Sequence, residues 1–282
     1  MADITPRNLR FDFAPLDLDV PDEALGGVLR ALGLSLTMPY LEPYLIRTMK
    51  VALRELDDPV LAEDARRFSQ QEGHHFRNHA ALNEHVRGHF DGATAADLRS
   101  LEADLEADYQ RFSKERPLRW NLAYAEGFEA MTCAAALAAA EHRAFEGPGM
   151  PGGEIWPWHM AEEIEHRTVA FKVYDHLVGS YFYRIAFGAW AQRHYLSYVG
   201  RFAARMAEGL GRQPGRARLG PMERSALRNY ARTLGPWYDP AKIAMPAGVR
   251  EFLDRYSGML EPRGAPAPPA AATSIGMPVM KA

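Results

Sequence analysis

The residues in this chain that are best suited to chemistry form two Glu-x-x-His motifs, Glu72 to His75 and Glu163 to His166. In a helix, residues three positions apart lie on one face, so each motif would present a carboxylate beside an imidazole. Carboxylate oxygens and imidazole nitrogens are common protein ligands of iron, manganese and zinc. One such motif is usually a surface ion pair, whereas two in the same chain indicate a metal site.

Single glutamates on two other predicted helices complete the pattern. Glu42 lies one turn before the apolar Leu45 and Ile46 and should point toward the core, and Glu129 lies on a face of small residues. Glu126, one turn before Glu129, is the alternative for that position. Four carboxylates buried together would repel one another and lose their hydration, and divalent metals remove that cost. The order Glu, Glu-x-x-His, Glu, Glu-x-x-His is that of ferritin-like dimetal-carboxylate bundles.

Further histidines lie beside both motifs. His159 comes one turn before the second motif, and His79 comes one turn after the first. We expect His159 to be a ligand rather than a core histidine bonded to a carbonyl. For His79, metal ligation and support of a neighbouring ligand are equal alternatives. Glu162 and Glu165 are expected on faces that flank the second motif.

The elements that position these residues are predicted to be helices throughout, which makes the fold all-α. Ala, Leu, Glu and Arg are abundant, and no alternating run of β-branched residues is long enough to predict a sheet. The predicted helices cover residues 36–55, 59–90, 94–114, 117–140, 156–178 and 181–208, with one short helix ending near residue 256.

The predicted organisation is a ferritin-like, dimetal-binding helical bundle over residues 1–211, followed by a short helical extension over 212–260. The glutamates of each half are 30 and 34 positions apart, as in an antiparallel helix pair, and 57 positions separate the halves. Residues 261–282 are rich in Pro and Ala and are expected to be disordered. A basic stretch after residue 211 is interpreted as a solvated helix face.

Composition excludes several other classes of protein. The 33 Lys and Arg residues are outnumbered by 36 Asp and Glu residues, which argues against a nucleic-acid-binding surface. A single cysteine, Cys133, excludes intrachain disulfides and cysteine-rich metal sites. The N-terminus has no apolar secretion signal, so a cytoplasmic location is expected.

One segment, Tyr181 to Val199, comes nearest to a membrane span by sequence. It carries Arg184, Gln192 and Arg193, which are costly in a bilayer, so we interpret it as an amphipathic helix packed on the core. Peripheral membrane contact is the alternative.

Two known groups of proteins share these motifs. Over about residues 5–260, the chain resembles a bacterial family of predicted metal-dependent hydrolases in the stretches 71–75 and 159–171. Its ligand helices are also similar to those of the di-iron arylamine N-oxygenases, whose last ligand helix reads His-x-x-x-Glu-x-x-His. His79 lies outside the ligand set that this second resemblance implies. That set is Glu42, Glu72, His75, Glu129, His159, Glu163 and His166.

The function expected from these observations is O2-dependent oxidation of an apolar or aromatic small molecule at two iron ions, with manganese or zinc as the alternative metals. The expected partners are the substrate, O2 and an electron donor, and a homo-oligomer is expected. The alternatives are a dimetal hydrolase and a non-catalytic, ferroxidase-like protein. The site is expected to be surrounded by the apolar side chains of Met38, Phe68, Phe76, Trp156 and Met160.

Overall fold

The structure is a computed structural model that describes residues 4–13, 16–145, 152–213 and 219–256. Within these ranges the chain forms α-helices and one 3-10 helix, without a β-strand. The predicted all-α class is therefore confirmed. The helices are α1 (Asp22–Ala52), α2 (Pro59–Gly88), α3 (Gly92–Glu115), α4 (Leu118–Glu141), α5 (Ile155–His166), α6 (Val169–Leu177), α7 (Tyr181–Gly209), α8 (Pro221–Thr233) and α9 (Ala247–Asp254), and the 3-10 helix is Pro240–Lys242.

Helices α1, α2, α4 and α5 carry the predicted metal ligands. Helix α1 packs along α2 and α7, α4 packs along α7 and α5, and α2 contacts α5. The contacts are apolar, and Leu36, Leu45 and Met49 of α1 are completely buried. Burial of each such side chain stabilises the fold by roughly 1.5–3 kcal/mol, so apolar packing fixes the positions of the ligand helices.

Helix α1 begins well before the predicted residue 36. Leu25, Leu29 and Leu32 continue the helical spacing of apolar residues toward the N-terminus, and all three are completely buried. Tertiary packing of an apolar face is what stabilises most helices in proteins, so these leucines account for the longer helix.

The predicted helix 156–178 is two helices in the structure. Helix α5 ends at His166, and α6 begins at Val169. The Arg167 side chain donates to the carbonyl oxygen of Ile164 over 2.6 Å, which is the acceptor that the amide of Thr168 would use in a continuous helix. The break therefore follows directly after the last predicted ligand.

The chain after residue 211 contains two described α-helices where the sequence predicts one. Helix α8 packs on α4, and α9 packs on α5. The helices of this extension thus lie on the two helices that carry Glu129 and the second Glu-x-x-His motif. The predicted disordered segment 261–282 lies outside the described residues.

Helix α1, rather than Tyr181 to Val199, is the described helix whose length and hydropathy match a membrane span. The prediction that Tyr181 to Val199 comes nearest to a membrane span was therefore wrong. Within the matching window of α1, 61% of the residues are buried in the structure. A core helix of a bundle has the same length and composition.

Helices α4 and α7 approach each other most closely at a pair of glycines. A Cβ atom at Gly127 would lie 2.3 Å from the Cα atom of Gly188, a distance that no side chain can adopt. Gly200, also in α7, has nothing within 4 Å of its Cβ direction. The close contact at Gly127 therefore sets the spacing of α4 and α7.

We predict that Gly127→Ala lowers the free energy of unfolding by about 1–3 kcal/mol, because the added methyl group forces the helices apart. Gly200→Ala is the matched control and should leave stability unchanged or raise it by up to about 1 kcal/mol through helix propensity. Urea denaturation followed by circular dichroism measures both. Equal effects of the two substitutions would contradict the close contact.

Candidate metal centre

The structure brings all seven residues of the predicted ligand set into one buried cluster. Helix α1 contributes one glutamate, α2 and α5 contribute their Glu-x-x-His motifs, α4 contributes one glutamate, and α5 adds a second histidine. Each of these side chains belongs to a residue that is 5% exposed or less. The members are Glu42, Glu72, His75, Glu129, His159, Glu163 and His166, and we call them the ligand cluster.

The ligand cluster divides into two overlapping parts. In one part, Nε2 of His166 lies 3.2 Å from Glu129, 3.3 Å from Glu163 and 3.5 Å from Glu72. The ligand atoms of these four residues all lie within 4.8 Å of one another. This part matches the spacing of oxygen and nitrogen ligands around one metal ion.

The second part lies on the other side of the same carboxylates. Nε2 of His159 lies 2.8 Å from Glu163 and 3.7 Å from Glu42, and Nδ1 of His75 lies 3.8 Å from Glu72. Glu42, Glu72 and His75 satisfy the same 4.8 Å spacing, and so do His75, His159 and Glu163. Glu72 and Glu163 therefore belong to both parts of the ligand cluster.

The buried atoms of the ligand cluster fit a metal because several have no hydrogen-bond partner. Both carboxylate oxygens of Glu42, Oε1 of Glu72, Oε1 of Glu129 and Nδ1 of His75 are in this state. Within the described ranges, no Lys or Arg forms an ion pair with any of the four carboxylates. A buried, ionised carboxylate without a partner costs several kcal/mol, and it avoids this cost either by taking up a proton or by binding a cation, so the donor set fits a metal ion.

Burial and mutual repulsion shift the pKa values of these carboxyl groups. Burial raises the pKa of Glu42 well above its ordinary value, and the charges of the other three glutamates raise it further. Burial and then Glu163 raise the pKa of Glu72 to about 8, and they raise that of Glu129 well above its ordinary value. Burial also acts to raise the pKa of Glu163, but the imidazoles of its own helix outweigh it and hold that pKa low.

Two of the three clustered histidines are oriented by an acceptor on the side away from the carboxylates. Nε2 of His75 lies 3.0 Å from Oε2 of Glu162, and Nδ1 of His166 lies 3.0 Å from Oε1 of Gln71. A ring N–H donated to these acceptors leaves the other nitrogen of each ring free for a metal. Glu162 and Gln71 thus select the tautomer that a ligand needs.

Glu162 and Glu165 lie outside the ligand cluster, on the flanking faces expected for them, but neither is on the protein surface. Both are buried, and the guanidinium of Arg7 lies 2.9 Å from each of them. Glu165 also accepts a hydrogen bond of 2.6 Å from Gln71. The sequence did not predict this network, because Arg7 lies 155 positions before Glu162. Its one sequence signal is an arginine between the apolar Ile4 and Leu9.

His159 is oriented by His79 through a chain of hydrogen bonds that begins at a proline. Pro39 has no N–H, which leaves the carbonyl of Ser35 free, and the side-chain amide of Asn83 donates to that carbonyl over 2.9 Å. The amide oxygen of Asn83 then accepts the hydroxyl proton of Ser35 over 2.6 Å. Since Ser35 has one hydroxyl proton, its oxygen accepts from Nδ1 of His79 at 2.9 Å.

The other nitrogen of His79 completes this chain. Nε2 of His79 lies 2.8 Å from Nδ1 of His159, so a neutral His79 accepts a hydrogen bond from Nδ1–H of His159 and leaves Nε2 of His159 unprotonated and directed at the carboxylates. Both ring nitrogens of His79 therefore have partners. This geometry matches support of a ligand, although His79 also lies within metal-binding distance of Glu42 and His159.

The structure separates the two glutamates that were alternatives on α4. Glu129 points into the ligand cluster, whereas Glu126 accepts a hydrogen bond of 2.9 Å from the buried Arg184 of α7. Glu126 is thus neutralised within the protein, and Glu129 is not. A helix position alone could not decide this, because the decision depends on the partner helix.

Aromatic rings cover the ligand cluster. Phe68 packs edge-on to His166 with 4.8 Å between ring centres, and Trp156 packs against His79 at 5.2 Å. Trp158, which was not among the predicted surroundings, packs edge-on to His75 at 4.8 Å. Among the other predicted surroundings, Met38 is buried in the core and Met160 is half-buried.

The sequence profile of one protein family matches residues 5–244 of the chain, and that family is described as predicted metal-dependent hydrolase. The match spans all four helices of the ligand cluster. The chain belongs to this family. No curated protein and no solved structure gives a significant match. The resemblance to this family that the two motifs indicated is therefore confirmed. The family description points to an enzyme that depends on a metal.

In this family member, we predict that Glu129→Gln reduces metal binding without destabilising the metal-free protein, because it removes one of four repelling carboxylates. Glu126→Gln should instead keep the metal and lower the free energy of unfolding by about 3 kcal/mol, because Arg184 loses its buried partner. Elemental analysis and urea denaturation of both variants test this. Metal loss in Glu126→Gln, with retention in Glu129→Gln, would reverse the assignment.

We also predict that chelator-treated protein becomes less stable as the pH rises from about 6.5 to about 8. Glu72, with a pKa of about 8, and His166, whose pKa lies well above its ordinary 6.5, hold protons in the folded state that the unfolded chain releases. For each proton that only the folded state retains, the free energy of unfolding falls by about 1.4 kcal/mol for every unit by which the pH rises. The pKa values of His79 and His159 are lowered, so these residues make the protein more stable as the pH rises. That effect ends at about pH 6.5, where the unfolded chain also loses these protons.

The control for this pH dependence is protein saturated with Mn²⁺, in which the same carboxylates are ligands and the stability should not fall over this range. Thermal unfolding at a series of pH values measures both forms. A metal-free protein whose stability rises with pH in this range would contradict the buried, protonated carboxyl groups.

Proposed function

We propose that this protein is an enzyme with two metal ions at the ligand cluster and that it oxidises an apolar small molecule with O2. The observation that supports the proposal is the cluster itself: four buried glutamates and three histidines whose ligand atoms lie close together, several of them without a hydrogen-bond partner. Ferritin-like dimetal-carboxylate bundles use the same ligand order, a Glu on each of two helices and a Glu-x-x-His on each of two others.

The two parts of the ligand cluster would hold the metals unequally. Glu129 and His166 would bind one ion, and Glu42, His75 and His159 would bind the other, with Glu72 and Glu163 between them. Oxygen-rich sites with imidazoles and without thiolate suit iron and manganese, and zinc binds when it is more available. When bound, iron supplies the capacity to react with O2, which protein side chains lack.

Burial of the site favours oxidation over hydrolysis. The ligand cluster is almost inaccessible to solvent, and Phe68 and Trp158 pack against two of its imidazoles. Exclusion of water protects reactive intermediates and suits an apolar substrate. In the overall reaction, one atom of O2 enters the substrate and the other becomes water, and an external reductant supplies two electrons with two protons from solvent.

Hydrolysis is the second candidate function, and the family description supports it directly. Two metals that share carboxylates can act together as Lewis acids on an ester, amide or phosphate and can lower the pKa of water. This reaction needs no reductant and proceeds with metals that have no redox chemistry. The two candidates therefore differ in their dependence on metal identity.

We predict that protein loaded with Fe²⁺ under anaerobic conditions consumes O2 over many turnovers when a reductant and an apolar substrate are present. Glu72→Ala should lose this activity together with the metal, because Glu72 lies between both metal positions. An oxygen electrode and product analysis with ¹⁸O2 measure the reaction. Glu126→Gln serves as the control, since that residue faces Arg184 instead.

Two results would contradict oxidation. Cleavage of esters or phosphates by Zn²⁺-loaded protein, without O2 consumption by the Fe²⁺ form, would establish hydrolysis. A single burst of O2 uptake that only oxidises the bound iron would show a ferroxidase-like protein without an organic substrate.

A further inference from the structure

A cavity of about 440 Å³ lies between α4, α8 and the segment 238–246. The side chains that line it are mainly apolar and include Cys133 and Leu137 of α4, whereas Glu141, Asn229 and Arg232 supply polar groups. Small-molecule sites are commonly cavities of roughly this size with a mostly apolar lining and a few polar groups. The ligand cluster does not include any of these residues.

The inner end of the cavity adjoins the ligand cluster. Cys133 is 2% exposed and lies one helical turn after Glu129, which places their Cβ atoms about 5–6 Å apart. The neighbouring Thr132 donates a hydrogen bond of 2.6 Å to Glu163. Consecutive residues of α4 therefore contact the ligand cluster, at Thr132, and line the cavity, at Cys133.

The outer end of the cavity carries a cation without a carboxylate partner. Both oxygens of Glu141 are already engaged, one by Asn229 at 3.1 Å and the other by Arg228 at 2.5 Å. The guanidinium of Arg232 lies 3.5 Å from the amide oxygen of the same Asn229, and no carboxylate in the described part of the chain pairs with it. The positive charge of Arg232 is thus available to an anion at this end.

The distance between the two ends sets the length of a bound molecule. Cys133 and Glu141 are eight positions apart on α4, which corresponds to about 12 Å along the helix axis. The lining and length of the cavity fit a ligand that has an apolar body of about this length and one anionic group at its end. A guanidinium binds a carboxylate through two parallel hydrogen bonds.

We propose that this cavity binds a medium-chain carboxylate, with the carboxylate at Arg232 and the apolar end at Cys133, and that such a molecule is the substrate. The identification as substrate rests on the proposed function, whereas the binding itself does not. In this orientation the apolar end, rather than the carboxyl group, is nearest to the metal centre, which agrees with oxidation of a C–H bond.

Calorimetric titration with decanoate tests the binding in both metal-free and Mn²⁺-loaded protein. We expect decanoate to bind, decylamine to bind much more weakly, and Arg232→Gln to weaken decanoate binding by about tenfold. Arg224→Gln is the matched control, because Arg224 lies on α8 and donates to the carbonyl of Leu219 instead. Leu137→Trp should abolish binding by filling the cavity.

Absence of decanoate binding, or equal affinities in the wild type, Arg232→Gln and Leu137→Trp, would overturn the proposed site. Paramagnetic relaxation by bound Mn²⁺ tests the orientation, with Zn²⁺-loaded protein as the diamagnetic control. The terminal methyl protons of decanoate should relax faster than the protons next to the carboxylate. The reverse order would overturn the orientation, whereas a protein that binds decanoate but no metal would contradict the proposed function alone.

Discussion

The structure depends on one electrostatic constraint: four carboxylates are buried together, and no Lys or Arg in the described residues neutralises them. Each buried carboxylate costs several kcal/mol unless a cation compensates it. Nearby pairs show the contrast, because Glu126 has Arg184 and Glu162 has Arg7. The fold pairs some buried glutamates with arginine, whereas Glu42, Glu72, Glu129 and Glu163 lie beside histidines and one another, and divalent cations would compensate them.

The rest of the bundle holds these groups in position. Glu162, Gln71 and His79 each fix one clustered imidazole, and Arg7 connects Glu162 to the network around Gln71. The support of His159 begins with a backbone effect, because Pro39 frees the carbonyl that orients Asn83. Local sequence thus determines ring orientation through several hydrogen bonds, and ring orientation determines which nitrogen a metal can reach.

The helical periodicity was sufficient to predict the all-α class and the motifs that meet in the ligand cluster. It could not predict features that depend on distant partners. Arg7 reaches α5 from the N-terminal segment, and Arg184 pairs with Glu126, which leaves Glu129 as the glutamate of α4 in the ligand cluster. The early start of α1 and the break at Arg167 likewise depend on tertiary packing and on one side-chain hydrogen bond. Periodicity describes the face of a helix but does not identify the element packed against that face.

We predict that the ligand cluster binds two metal ions and that Glu72 and Glu163 lie between them. The most direct test is the anomalous scattering of crystals of the Fe²⁺-loaded protein, collected on both sides of the iron absorption edge. We expect about two iron peaks per chain, both between Glu72 and Glu163, one beside His166 and the other beside His75 and His159. Fully ordered carboxylates without an iron peak between them, or iron bound only elsewhere, would contradict it.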